Sequence, residues 1–238
     1  MILGSCEDKI YETGHFAETA ITGLSKEDYQ EELANLYEDV DETYIEEFDN
    51  MGIDEIRETV NSFNDKYKLG EPFSEEDQAL LLYSMNECSS ESIYSDDDFL
   101  TKTAFVTLKY NIGYSKKKYG VTTKYKGYFT TYVGFSHGEY CTNVNVSIVS
   151  GKSKLKSMKW TTYHNAYGLL GSDGSSISIG ISYSGSVSSK SYKNNFSLDK
   201  QVNYSAIMSA YTSTWGVLDV ATSSGEYTMN TQTYSHFE

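Results

Sequence analysis

The charge of this chain reverses near residue 98, and the residue pattern changes at the same place. Residues 1–98 hold 28 Asp and Glu against 5 Lys and Arg, whereas residues 99–238 hold 6 Asp and Glu against 14 lysines. The overall formal charge of -15 therefore hides a basic half behind an acidic one. Unlike charges on two parts of one chain attract and orient them, so the two halves are expected to meet, with the first shielding the second.

The acidic half reads as helical. Ser25 followed by Asp28 is a capping-box start, and Tyr29, Leu33, Leu36, Tyr37, Val40, Tyr44, Ile45 and Phe48 recur at spacings of three and four. This predicts one helix over about 26–50 with an apolar stripe. Gly52 ends it; Ile53, Ile56, Val60, Phe63 and Tyr67 mark a second helix, closed by Gly70 and Pro72. Ser74 and Asp77 open a short third one around Ala79, Leu80, Leu81, Leu82 and Met85. A bundle of three such helices has a thin core and a self-repelling surface, and it needs the second half as a packing partner.

The pattern divides the chain into an acidic helical region over 1–86, a pro-region or shield, then a linker over 87–101 and a basic domain over 102–238. The Ser-, Asp- and Glu-rich boundary reads as solvated linker, because Asp96, Asp97 and Asp98 lack the glycine and terminal glutamate of a calcium loop. Beyond it the period becomes two. Ala104 to Ile112, Val121 to Phe135, Val144 to Ile148, and Ile177 to Val187 alternate apolar with polar residues. Met158 and Trp160 belong to a further strand, 196–204 to a weaker one, and 206–221 with 227–234 to a hairpin around Ser224 and Gly225. Gly127 is expected at a bulge or bend. The chain as a whole is α+β: about three N-terminal helices followed by an antiparallel β-sandwich or barrel of seven or eight strands.

Catalytic patterns are weak. Gly134-Phe135-Ser136-His137-Gly138 matches the nucleophile-elbow spacing, but a β pattern follows where a helix is required. His137 and Cys141, with Asn143 or Asn165, are adjacent only in sequence. Asp219 and Glu226 flank the last hairpin, as any two residues of a hairpin would. His15, His137, His164 and His236 show no metal-ligand spacing, and no phosphate or dinucleotide loop is present, so no enzyme activity, metal or cofactor is expected. Cys6, Cys88 and Cys141 are too few for a disulfide scaffold, leaving a Cys88–Cys141 staple or free thiols. The opening Ile-Leu-Gly-Ser-Cys6 has the Leu, small residues and Cys that close a bacterial lipoprotein signal, without its charged and apolar regions.

The lysines carry more. Nine of them fall between 116 and 159. Lys124, Lys126, Tyr128 and Tyr132 share one strand face; Lys152, Lys154 and Lys156 share another, with Trp160 beyond them if the strand is unbroken. Together with Lys116, Lys117 and Lys118 they predict a lysine patch edged by Tyr and Trp. Lysine gives point-charge attraction to phosphates, and the single arginine, Arg57, lies in the acidic half. No recognition helix appears in the basic half, which excludes sequence-specific nucleic-acid binding. The composition leads to an exported, surface-acting bacterial protein of the toxin or bacteriocin kind, binding anionic cell surfaces or membrane headgroups. The alternative is a surface module that recognises a host protein or glycan through Tyr and Trp.

Overall fold

The computed structural model describes residues 9–90, 107–133, 137–171, 177–205 and 211–235. It is α+β, with four helices and two antiparallel sheets, which do not close into a barrel.

The expected first helix is two. The Ser25 capping box forms in full, and α1 runs over Lys26–Glu38. Asp41 then accepts from the backbone N–H and the hydroxyl of Thr43, at 2.8 and 2.7 Å, and starts α2 over Glu42–Phe48. The apolar spacing continues across the break, so periodicity alone could not reveal it; the Asp41–Thr43 cap could. After Gly52, α3 covers Ile53–Lys66. The fourth helix, α4, covers Glu75–Ser90 and extends into the stretch read as linker. Residues 91–101 of that linker, with Asp96 to Asp98, lie outside the described residues.

The larger sheet has strand order β1-β6-β5-β8, with β9 and β10 sharing the far edge of β8. Its strands are β1 Ile10–Phe16, β5 Leu155–Gly171, β6 Ile177–Ser191, β8 Tyr211–Thr222, β9 Gly225–Asn230 and β10 Tyr234–Ser235. The smaller sheet, β2-β3-β4-β7, uses Thr107–Lys118, Val121–Val133, His137–Ser150 and Asn195–Ser205. Strand β1 falls in the region expected to be helical. It has no 3.6-residue period, and it pairs along its whole length with β6, where a Cβ at Gly14 would stand 2.6 Å from the Tyr183 hydroxyl. Gly127 is not a bulge. The register shift in β3 lies between Thr122 and Thr123, and Gly127 instead makes room for the Asn143 carbonyl of β4.

Alternation gives each sheet an apolar inner face, and the two faces share one core. Tyr125, Phe129, Val144 and Leu198 of the smaller sheet join Met158, Trp160, Val187 and Leu218 of the larger. Several buried polar atoms in this core are paired in chains. The Trp160 indole N–H donates to the Thr162 hydroxyl, which donates to that of Thr142, both at 2.8 Å. His164 is fully buried, stacked on Tyr140, and bonded through Nδ1 to Thr214 and through Nε2 to the Tyr204 hydroxyl. Burial lowers its pKa to about 3, so the ring is neutral.

The helices form a second core on the outer face of the larger sheet. Phe63, Phe73, Leu81 and Leu33 pack with Tyr167, Leu169, Ile179, Ile181 and Tyr211. Asn64 supplies the polar part of this contact: its Oδ1 accepts from Asn165 Nδ2, the Tyr167 hydroxyl and the Ser213 hydroxyl at 2.7–3.0 Å. Backbone bonds from Gly70 to Ile181 and from Phe73 to Ile179 complete it. The acidic half thus needs the sheet to complete its core. The contact is apolar and amide-mediated. Among the described residues, the one ion pair joining the halves is Lys200 with Glu12 at 2.9 Å, which clasps edge strand β7 to edge strand β1.

Candidate binding surface

Three turns meet at one end of the β half. Tyr119 and Gly120 turn β2 into β3, with Tyr119 at φ 52° and Gly120 at φ 73°, a left-handed pair that favours a tight hairpin. Lys152–Lys154 forms a 3-10 turn before β5, and Ser223–Ser224 joins β8 to β9. Ser223 N–H donates to the Lys154 carbonyl at 2.8 Å, and a Cβ at Gly225 would stand 3.0 Å from the Tyr119 ring. The helices dock further along β5, from Asn165 onward, ten residues and so about 33 Å from Leu155.

The structure brings most of the predicted lysines to the three-turn end. Lys116, Lys117 and Lys118 finish β2; Lys152 and Lys154 lie in the 3-10 turn; Lys156 sits at the register shift that opens β5. Lys124 and Lys126 project from the outer face of the smaller sheet, opposite Ser115 and Gly113. Among the described residues none of these eight lysines is in an ion pair. Tyr128 and Tyr132 stand further along that face, and the Lys109 ammonium lies 3.9 Å from the Tyr128 ring centroid. Of the carboxylates of the face, Glu139 lies at its far end opposite Tyr132, and Asp199 lies at mid-sheet in the row of Asn143 and Tyr128.

Trp160 is not part of this surface. It is fully buried, edge-on to Tyr125 at 5.1 Å, and cannot touch a ligand. The condition placed on it fails because Lys152 and Lys154 are in a 3-10 turn and Lys156 is bulged, so no single strand face links them to residue 160.

The tryptophan that reaches the surface is the half-buried Trp215, which is not among the residues predicted for the patch. It stacks on Tyr163, its direct cross-strand partner, with centroids 5.4 Å apart and planes 18° apart. Both lie on the outer face of the larger sheet, where Tyr163 is 36% exposed. The available signal was parity: in β8, Leu218 and Val220 are buried, so Trp215 belongs to the opposite face.

The catalytic patterns gain little. Ser136 lies outside the described residues, and residues 137–150 are strand, where a nucleophile elbow needs a helix. His137 and Cys141 are four residues apart on that strand, about 13 Å along the backbone, and the side chain of His137 lies outside the described residues. Cys141 is a free thiol on the outer face, and burial raises its pKa. Cys6 lies outside the described residues, as does the side chain of Cys88. No group of three or more potential metal ligands occurs among the described residues. Asp219 and Glu226 do share a pocket, of about 390 Å³, with Lys159 and Lys190. No family model matches the chain, and no curated protein matches it.

Proposed function

We propose that this is an exported bacterial binding protein without enzymatic activity, whose lysine-rich end captures an anionic cell surface, as a toxin or bacteriocin does. Its β half is read as a sandwich, with the target either lipid headgroups or wall polymers. The observation that supports this is the placement of six lysines around three turns, with Lys124 and Lys126 on the adjoining sheet face, none in an ion pair among the described residues and about 33 Å along β5 from the helix contact at Asn165. Exposed lysines concentrate anions without needing a shaped site. Among the described residues, the acidic helices sit at the opposite end and do not cover the lysines. Their role in this reading is to orient: the molecule carries opposite charge at its two ends and approaches a negative surface lysines first.

Sedimentation with anionic vesicles tests this. The full chain is expected to sediment at low salt and to be released at high salt, and K124E/K126E to weaken binding markedly. Vesicle binding that ignores both salt and these substitutions overturns the reading. The stacked Tyr163–Trp215 pair favours a second reading, a glycan- or protein-recognition module. That binding would persist at high salt and be lost in W215A.

A further inference from the structure

The larger sheet carries a pocket of about 390 Å³ at the three-turn end whose charges are arranged in two opposed pairs. Lys159 of β5 and Lys190 of β6 are direct cross-strand partners, so two ammonium groups rise side by side from the sheet. On the other side of Lys159 its partner is Asp219 of β8, and Glu226 of β9 lies two register rows further on, on the same face. Thr228, opposite Asp219, donates its hydroxyl to the carboxylate at 2.8 Å. Tyr227 and Ala221 give the pocket an apolar component.

Lysines directly opposite one another on a sheet repel, and the usual relief is a carboxylate between them. Here two carboxylates are within the same pocket, yet among the described residues neither lysine is within 4.0 Å of one. The Lys190 ammonium lies 5.4 Å from the centroid of the Tyr192 ring. Positive charge is therefore concentrated on the β5–β6 side and negative charge on the β8–β9 side, each lacking a direct counter-ion. The volume falls in the range of small-molecule sites.

We infer that this pocket binds a phosphate monoester bearing a primary ammonium group, the chemistry of phosphoethanolamine. The paired lysines match a dianionic phosphate better than a singly charged carboxylate, and lysine is a suitable point-charge partner for it. Asp219 and Glu226 receive the ammonium. Phosphoethanolamine occurs free as this dianionic monoester; in a lipid headgroup the same phosphate is a diester with one negative charge, a weaker match to two lysines. The inference stands on this pocket alone and does not depend on capture by the exposed lysines.

Calorimetric titration of the full chain with O-phosphoethanolamine, inorganic phosphate and ethylamine tests it. O-Phosphoethanolamine is expected to bind at least ten-fold more tightly than phosphate, and ethylamine to give no measurable binding. Lys190→Ala and Asp219→Asn are each expected to weaken binding at least ten-fold, and K124E/K126E to leave it unchanged. Both single substitutions are at exposed positions, and an unchanged unfolding midpoint will show that the fold is intact. Equal affinity for phosphate, no binding, or full binding by Asp219→Asn overturns the inference. Vesicles with and without phosphatidylethanolamine then identify the source. Capture only by the former, competed by O-phosphoethanolamine, assigns a lipid headgroup, and binding of the soluble compound alone assigns a free ligand.

Discussion

The two ends of the β half solve opposite problems. At the helix end, Phe63, Phe73, Tyr167 and Tyr211 exclude water, and Asn64 satisfies the donors that the contact buries. At the three-turn end, lysines crowd together, and none of them is in an ion pair among the described residues. The difference separates attachment from charge. A chain with so unequal a charge distribution invites the idea that its halves attract one another through ions. Yet among the described residues what joins them is an apolar core and an amide, with a single edge ion pair, Lys200–Glu12. The charge asymmetry does not hold the fold together and is free to act on something outside it.

Substitutions at the two ends should therefore behave differently. The largest effect is expected for Phe63→Ala, whose ring is fully buried against Tyr67 and Phe73. A loss of about 3–5 kcal/mol in denaturant unfolding follows from emptying such a site. A loss below about 1 kcal/mol would show that the helices contribute little to the fold. Asn64→Ala removes the acceptor shared by Asn165, Tyr167 and Ser213 and should cost about 1–3 kcal/mol. If Asn64→Ala proves neutral, the contact is apolar alone.

His164 gives a pH signature. Its pKa falls from 6.5 to about 3 on folding because burial disfavours the charged ring. The unfolded chain then takes up a proton that the folded chain refuses. The stability tied to this group is complete above pH 6.5 and declines as the pH drops toward 3, by up to about 1.4 kcal/mol per pH unit. Replacing His164 with Gln should flatten the acid limb of the stability profile by that slope, whatever it does to stability at neutral pH. An unchanged acid limb would contradict the burial account. The smallest effect on stability is expected for K124E/K126E, within about 0.5 kcal/mol, since both side chains are exposed and unpaired. A larger loss would mean that these lysines serve the fold and are not free for a partner.

Much of this was legible in the residues. Period-two runs placed β2, β3, β4 and β6, and Ser25 with Asp28 marked the start of α1. What was hidden was hidden for local reasons. The break between α1 and α2 keeps the apolar spacing, so only the cap at Asp41 betrays it. Strand β1 is exposed along its length and shows no burial pattern to read. At the candidate surface, Lys124 and Lys126 were placed correctly by parity, whereas Trp160 was assigned to a face across a 3-10 turn and a bulge that parity cannot cross. Trp215 went unremarked because its Tyr163 partner is distant in sequence and adjacent only through pairing. The Lys159–Lys190 neighbourhood is likewise a product of register.

Hydrogen exchange on the full chain, with and without anionic vesicles, tests the central claim most directly. The account predicts added protection in 116–126 and 152–159, with α1 to α4 unchanged. Protection that falls on the helices, or on neither end, would contradict it.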